Sequence, residues 1–282
     1  MKFVKMTMVV MFALMLLTAC GTKQEADLST APHFTNYEEA RTEAARTNKP
    51  MLVSYWGDWC SWCKKLDTVV FMDPKGIEFF TNQAILVKIN AGVDSLLKKE
   101  QQVSALPTSI LFDKDGVEID RIIGFMEVDD FLKTVTDYQN GIGTLADLLN
   151  RVGTEADRSL YMEIAEKYKY RDGSDDAGTW YQKVIDEGDR TDSLSGECRM
   201  SLADMKRRAE EYDAAIVGFN GVINDYEGQM FAQDAHIWIA IVHRQKGDTA
   251  VAIEAFENYI KKFPESEDIK YAQGQIDKLN GI

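Results

Sequence analysis

Apolar and polar positions follow two different rhythms along this chain. Up to about residue 141, short apolar runs stand between amphipathic segments. "MLVSYW" (51–56) and "AILVKINA" (84–91) are dense in apolar residues and predict strands. "TSILFD" (108–113) and "VEIDRIIG" (117–124) flank "KDG" and predict a hairpin. Helical spacing fills the gaps. "TNYE" reads as a capping box, with Thr35 as N-cap and Glu38 at N3, opening a helix that runs to about Asn48 ahead of Pro50. "DSLLKKEQQV" (94–103) and "EVDDFLKTVTDYQ" (127–139) predict two more helices, and "WCSWCKK" opens another after the first strand. Strands alternating with helices and closing on a hairpin predict an α/β sandwich.

From about residue 145 the strand pattern stops and helical periodicity takes over. Three segments align: "LYMEIAEKYKY", "RMSLADMKRRAEEYDAAIVGFNGVI" and "HIWIAIVHRQKGDTAVAIEAFENYI", the first followed by "DDAGTWYQKVI". Small residues recur at Ala165, Ala203 and Ala240, and again at Ala177, Ala215 and Ala252. Tyr181, Phe219 and Phe256 follow, with periods of 38 and 37 residues, and Pro264 comes after the last. Alanines let paired helices approach closely and the aromatic fills the groove, so these positions are packing. This pattern resembles tetratricopeptide repeats, slightly longer than their usual length. "DIKYAQGQIDKL" (268–279) predicts a terminal capping helix.

The N-terminus has a third pattern. Lys2 and Lys5 precede an apolar run from Met6 to Leu17, which is too short to span a bilayer and reads as a secretory signal. It ends Leu17-Thr18-Ala19-Cys20-Gly21, which resembles the lipobox of bacterial lipoproteins. The resemblance implies cleavage after residue 19 and lipid on Cys20, holding a soluble body to a membrane of the bacterial envelope, on the periplasmic side. Gly21 stands where some bacterial lipoproteins carry an inner-membrane retention aspartate. The domain plan is then signal peptide 1–19, tether 20–33, α/β domain 34–141, connector 142–158 and helical repeats 159–282.

Charge narrows the partners. The 282-residue chain carries a formal −14, and loss of Lys2 and Lys5 with the signal takes it to −16. A chain this acidic is a poor ligand for nucleic acid, which needs clustered Lys and Arg. Cysteine number narrows the chemistry. With Cys20 lipidated, Cys60, Cys63 and Cys198 remain, one close pair and one single. An exported scaffold stapled by disulfides carries a larger, even set, so the pair reads as a working dithiol. Zinc would need two more ligands; Cys198, His33, His236 and His243 offer no ligand spacing, and no metal is expected. Cys198 reads as a packed small residue.

"YWGDWCSWCK", "ALPTSILF" (105–112) and "GFM" (124–126) together resemble the thioredoxin fold over roughly residues 34–141. "FMDPKGIEFF" extends the likeness to the C-terminal periplasmic domain of the DsbD-type thiol:disulfide interchange proteins. The resemblance implies catalysis by Cys60 and Cys63 without any cofactor beyond their own disulfide. Cys60 starts a helix, where the macrodipole and free N–H groups favour thiolate, so it is the attacking thiol and Cys63 the resolving one. Trp59, Ser61, Trp62 and Lys64 surround the pair. Leu106, Pro107 and Thr108 match the loop whose proline is cis in the family and whose backbone pairs with substrate. Trp62 has two readings, an apolar lip for substrate or a surface aromatic packed on its own helix. One departure stands out. The family's buried carboxylate, six residues before the first cysteine, is Ser54 here, while its usual lysine partner matches Lys88. Proton transfer then falls to water or to another carboxylate, with Asp58 nearby in sequence.

Two function classes follow. One is a membrane-tethered thiol–disulfide oxidoreductase acting on envelope thiols or an upstream redox partner, with repeats that dock a peptide or protein. The other is a non-catalytic envelope scaffold or adaptor that binds partners through its repeats. The presence of both Cys60 and Cys63 favours the first.

Overall fold

The computed structural model describes residues 29–171 and 174–281. The expected signal peptide and the expected lipidation site, Cys20, lie outside them. Five strands form one sheet: β1 (His33–Phe34), β2 (Met51–Trp56), β3 (Ile85–Asn90), β4 (Thr108–Phe112) and β5 (Glu118–Ile123), in the order β1-β3-β2-β4-β5. β1, β3 and β2 run parallel, β4 pairs antiparallel with β2, and β5 pairs antiparallel with β4. β2 is buried on both faces, which is why its sequence is a continuous apolar run instead of an alternating one. Alternate residues still serve different cores. Leu52, Leu86, Leu111 and Ile122 face α3 (Pro74–Asn82) and α5 (Val128–Gln139). Met51, Val53, Tyr55, Val87 and Ile110 face α1 (Tyr37–Thr47) and α4 (Ser95–Glu100).

The fold reaches back into the expected tether. Ala31 is fully buried and its N–H donates to Phe71 O at 2.6 Å, and His33 pairs in register with Leu86. A two-residue strand lacks the periodicity that would mark it in sequence. It also moves the helix start: Asn36, not Thr35, is the N-cap of α1, with Oδ1 accepting from Glu39 N at 3.0 Å. The pairing of Phe34 with Val87 holds the chain in the sheet up to Phe34, and Asn36, itself extended, then reaches the third helical N–H with its amide.

α2 (Ser61–Leu66) runs directly into a π-helical segment, Asp67–Phe71, closed by Met72 N donating to Asp67 O at 2.9 Å. The widened turn turns the Val70 carbonyl onto α3. A Cβ on Gly76 would lie 1.8 Å from that oxygen, so only glycine fits there.

The connector is itself helical: α6 (Leu145–Glu155) packs Leu148 against Leu160 and Ile164. Three helix pairs follow, α7 (Arg158–Lys169) with α8 (Ser174–Asp186), α9 (Ser193–Arg208) with α10 (Tyr212–Asp225), and α11 (Met230–Lys246) with α12 (Thr249–Lys262); α13 (Ile269–Leu279) closes the stack. The recurring Tyr181, Phe219 and Phe256 are fully buried, and the six recurring alanines are buried with them.

The two halves meet at β5. Asp120 is fully buried and its carboxylate accepts from Leu145 N (2.6 Å), Arg171 Nη2 (2.6 Å), Lys167 Nζ (3.0 Å) and its neighbour Arg121 N (2.6 Å). Burial alone would raise its pKa, but Lys167 and Arg171 outweigh that and hold it below the usual carboxylate range.

Candidate active site

The end of β2 positions the dithiol. After Trp56 the chain turns tightly, with Cys60 N donating to Gly57 O at 3.0 Å, and Cys60 becomes the N-cap of α2. Its extended backbone (φ −88°, ψ 100°) directs Sγ at the helix start, where it accepts from Cys63 N at 3.1 Å. Cys60 and Cys63 form a disulfide, with Cα atoms 5.2 Å apart. Cys60 is half-buried and Cys63 buried, so the sulfur nearer solvent belongs to the first cysteine. The first turn carries no acid, and Lys64 and Lys65 follow on the exposed side. Ser61 is exposed beside them.

Two tryptophans flank this point and each rests on a different loop. Trp59 is 70% exposed, its ring lying over Gly57 and Gly92; a Cβ on Gly92 would come within 2.9 Å of it. Asn90 shapes that loop, accepting from Gly92 N at 2.9 Å and donating to Asp58 Oδ2 at 3.4 Å. Trp62 is 56% exposed and packs on Phe125 beyond the end of β5, with ring centroids 5.8 Å apart. Lys65 Nζ sits 4.1 Å over the Phe125 ring and 3.8 Å from Glu127. Trp62 therefore packs mainly across onto a neighbouring loop, not only along its own helix.

The Leu106–Pro107 peptide is cis, and Pro107 lines one small cavity together with Cys63. Pro107 O accepts from Gly124 N at 2.8 Å, and Gly124 takes φ +84°, a left-handed conformation suited to glycine. Thr108 is buried, and its hydroxyl donates to Ala105 O at 2.8 Å, stiffening the turn.

Another carboxylate lines the cavity that Ser54 borders. Ser54 is buried and accepts from Ser109 Oγ at 3.3 Å. Beside it on β3, Lys88 forms an ion pair with Asp67, the first residue of the π segment. Ser54, Cys63, Asp67, Lys88 and Pro107 share the walls of a cavity of about 70 Å³. Asp58 is exposed and tied to Asn90, on the Trp59 side. The sequence signal for Asp67 is its place four residues after Cys63, on the same helical face.

Cys198 lies apart, buried in the first repeats with its Sγ donating to Met162 Sδ at 3.5 Å. Burial pushes its thiol up to about 12. His33, on β1, contacts Ala31 O; on α11, His236 meets Lys262 and His243 lies near Asp248.

Residues 37–139 match the thioredoxin-like domain family, and residues 234–266 match the tetratricopeptide repeat family. The chain is 31% identical over 118 residues to the thiol:disulfide interchange protein DsbD of Pectobacterium atrosepticum, covering 39% of this chain and 20% of that protein. It is 30% identical over 132 residues to the DsbD of Escherichia coli (strain K12), covering 43% and 23%. The chain thus spans about a fifth of the length of these relatives. Among solved structures it is similar to the DsbH oxidoreductase, at 18% identity and a TM-score of 0.36, covering 42% of this chain and 92% of that one. The chain joins a thioredoxin-like domain to tetratricopeptide-like helical repeats.

Proposed function

We propose that this protein is a thiol–disulfide oxidoreductase of the bacterial cell envelope, working through Cys60 and Cys63, tethered by lipid on Cys20 and docking partners on its repeats. The observation that carries the reading is a disulfide at a helix start, more open at Cys60 than at Cys63, beside a cis-proline loop. The similarity to DsbD proteins supports both the chemistry and the compartment.

In the reduced form the Cys60 thiolate attacks one sulfur of a partner disulfide. A mixed disulfide forms and one partner thiolate leaves. The Cys63 thiol then loses its proton and its sulfur attacks Cys60 Sγ. The mixed disulfide breaks, the Cys60–Cys63 bond forms, and the second partner thiolate departs and is protonated. Two electrons have passed to the partner, and the reverse sequence oxidises a partner dithiol. Asp67 accepts the Cys63 proton across the cavity they share, which has room for a bridging water. Lys88 holds that carboxylate against the cavity. Leu106 offers its backbone to an extended partner segment. Net direction follows from the reduction potential relative to the partner, measured by equilibration with glutathione.

The decisive test is reduction of a protein disulfide by the full chain in the presence of a dithiol reductant. Wild type is expected to turn over, Cys60→Ser to be inert, and Cys63→Ser to accumulate mixed disulfides through Cys60. An inert wild type would assign the domain an adaptor role instead. Anchoring has its own test: Cys20→Ser should lose lipid labelling and either leave the membrane fraction or stay unprocessed, and labelling that persists sinks the tether. Docking is supported by the groove between α8 and α10, lined by Leu202, Gly218 and Gly221 and exposing Val217. Adding Val217→Glu to Cys63→Ser should change which envelope proteins are trapped, as read by mass spectrometry. An unchanged set makes the repeats a spacer.

A further inference from the structure

Asp120 and Arg121 are neighbours on β5, so their side chains leave opposite faces of the strand. Both nonetheless reach the end of α7. Asp120 takes Lys167 and Arg171, while Arg121 Nη1 donates to Tyr170 O at 3.3 Å. A helix end held from both faces of an edge strand must sit across that edge. The repeats therefore stop the open side of the sheet.

Arg121 does more than bridge the halves. Its guanidinium is almost wholly buried and held by Glu118 through Nε at 2.9 Å and through Nη2. The same Nη1 that meets Tyr170 also donates to Gln101 O (3.2 Å) and Gln102 O (3.4 Å). These two carbonyls stand where α4 ends and the loop to Pro107 begins. Gln102 has φ +54°, a conformation uncommon outside glycine, so the chain there needs holding. Tyr55 OH adds a bond to Gln101 Oε1 at 2.7 Å. Downstream, Thr108 enters the sheet opposite Tyr55 and Ile123. The loop 103–107 is thus strung between a fixed sheet position and an upstream segment that Arg121 holds together with Tyr55 and with the bond from Val103 N to Lys98 O at 3.0 Å.

We infer that Arg121 is a positioning residue for the loop carrying Leu106 and Pro107, and that the first repeat completes the site by fixing Arg121 through Tyr170 O and the Asp120–Lys167–Arg171 clasp. The inference rests on the proposed use of that loop to bind an extended partner segment. It makes the repeat domain part of the binding site's frame as well as a docking surface. No repeat residue has to touch the substrate for this to hold.

The test uses the full chain with three substitutions at two places, Arg121→Met, Arg121→Lys and Lys167→Met, and two readouts. The first is exchange with a disulfide-linked extended peptide. Arg121→Met should raise KM about tenfold, the scale of one lost charged hydrogen bond, with kcat little changed. Lys167→Met, which loosens the clasp and leaves Arg121 intact, should raise KM in the same sense. Arg121→Lys should recover part of the loss. Alkylation of Cys60 by iodoacetamide should keep the wild-type rate in all three, because the thiol environment is untouched. The second readout is hydrogen exchange at the amides of 103–106, expected to quicken in both methionine variants. If Lys167→Met leaves KM and loop exchange at wild-type values, the repeats do not frame the site. If Arg121→Met fails to fold, Lys167→Met still decides the inference by loop exchange. A wild type inert toward the peptide would overturn the proposed function, while loop exchange would still report on the anchor.

Discussion

Cys60 and Cys198 carry the same side chain in opposite surroundings. One caps a helix at the surface; the other is sealed among Tyr161, Tyr181 and Val184, with its thiol pushed up to about 12. After reduction at neutral pH, alkylation should label Cys60 first and Cys63 more slowly. Cys198 should stay unlabelled until denaturant is added, as followed by mass spectrometry of the modified peptides. Labelling of Cys63 ahead of Cys60 would reverse the assigned roles. Asp67→Asn should slow release of the mixed disulfide on the order of 10²-fold, the usual scale for a positioned base, while its formation at Cys60 is little affected. Stopped-flow of the two steps separates them. Much of this site is legible in sequence: the cysteines, the cis-proline loop and the unusual Ser54 all stand in local motifs. Asp67 is legible only as a helical neighbour of Cys63. Its pairing with Lys88 depends on the register that sets Lys88 beside Ser54, which no local pattern encodes.

Helices and strands whose periodicity is long were legible; those fixed by one contact were not. The alanine and aromatic spacing of the repeats translates directly into buried helix contacts, because packing repeats with the helix. β1 is two residues held by β3, and it shifts the first cap from Thr35 to Asn36. Asn36→Ala should therefore cost about 1 kcal/mol in urea unfolding, and Thr35→Ala clearly less. Equal losses would return the cap to Thr35. The π segment has a counterpart in Gly76. Its Cβ space is occupied by the Val70 carbonyl, and backbone cannot retreat as a side-chain tip can. Gly76→Ala should destabilise by about 1–3 kcal/mol. It should also disturb exchange at the active site, because Asp67 begins the same segment.

At the scale of the molecule, the junction at Asp120 sets acid sensitivity. Its carboxyl titrates below the ordinary range in the folded chain, so its contribution is whole above about pH 4 and is lost as the pH falls through the folded-state value. Asp120→Asn should lower stability at neutral pH by about 3 kcal/mol, since it takes the buried carboxylate from between Lys167 and Arg171 and leaves Arg171 only Glu118, at 3.4 Å. The penalty should shrink toward acid, as unfolding curves across pH would report. A penalty that is constant with pH would remove the charge from the account. The clasp joins residues 47 and 51 positions apart, which is why reading local stretches divided the chain near 141. The consequence reaches into how such a chain is assembled by gene fusion. A recombination event that swaps repeats at that point would inherit a β5 whose Asp120 has lost Lys167 and Arg171 and whose Arg121 keeps Glu118 but loses Tyr170 O, whereas one placed after α8 would carry the whole clasp with the α7–α8 pair intact. The unit that can be transplanted between proteins is therefore the thioredoxin-like domain together with α6 and the α7–α8 pair, and lineages that exchange partners should vary the chain only beyond it.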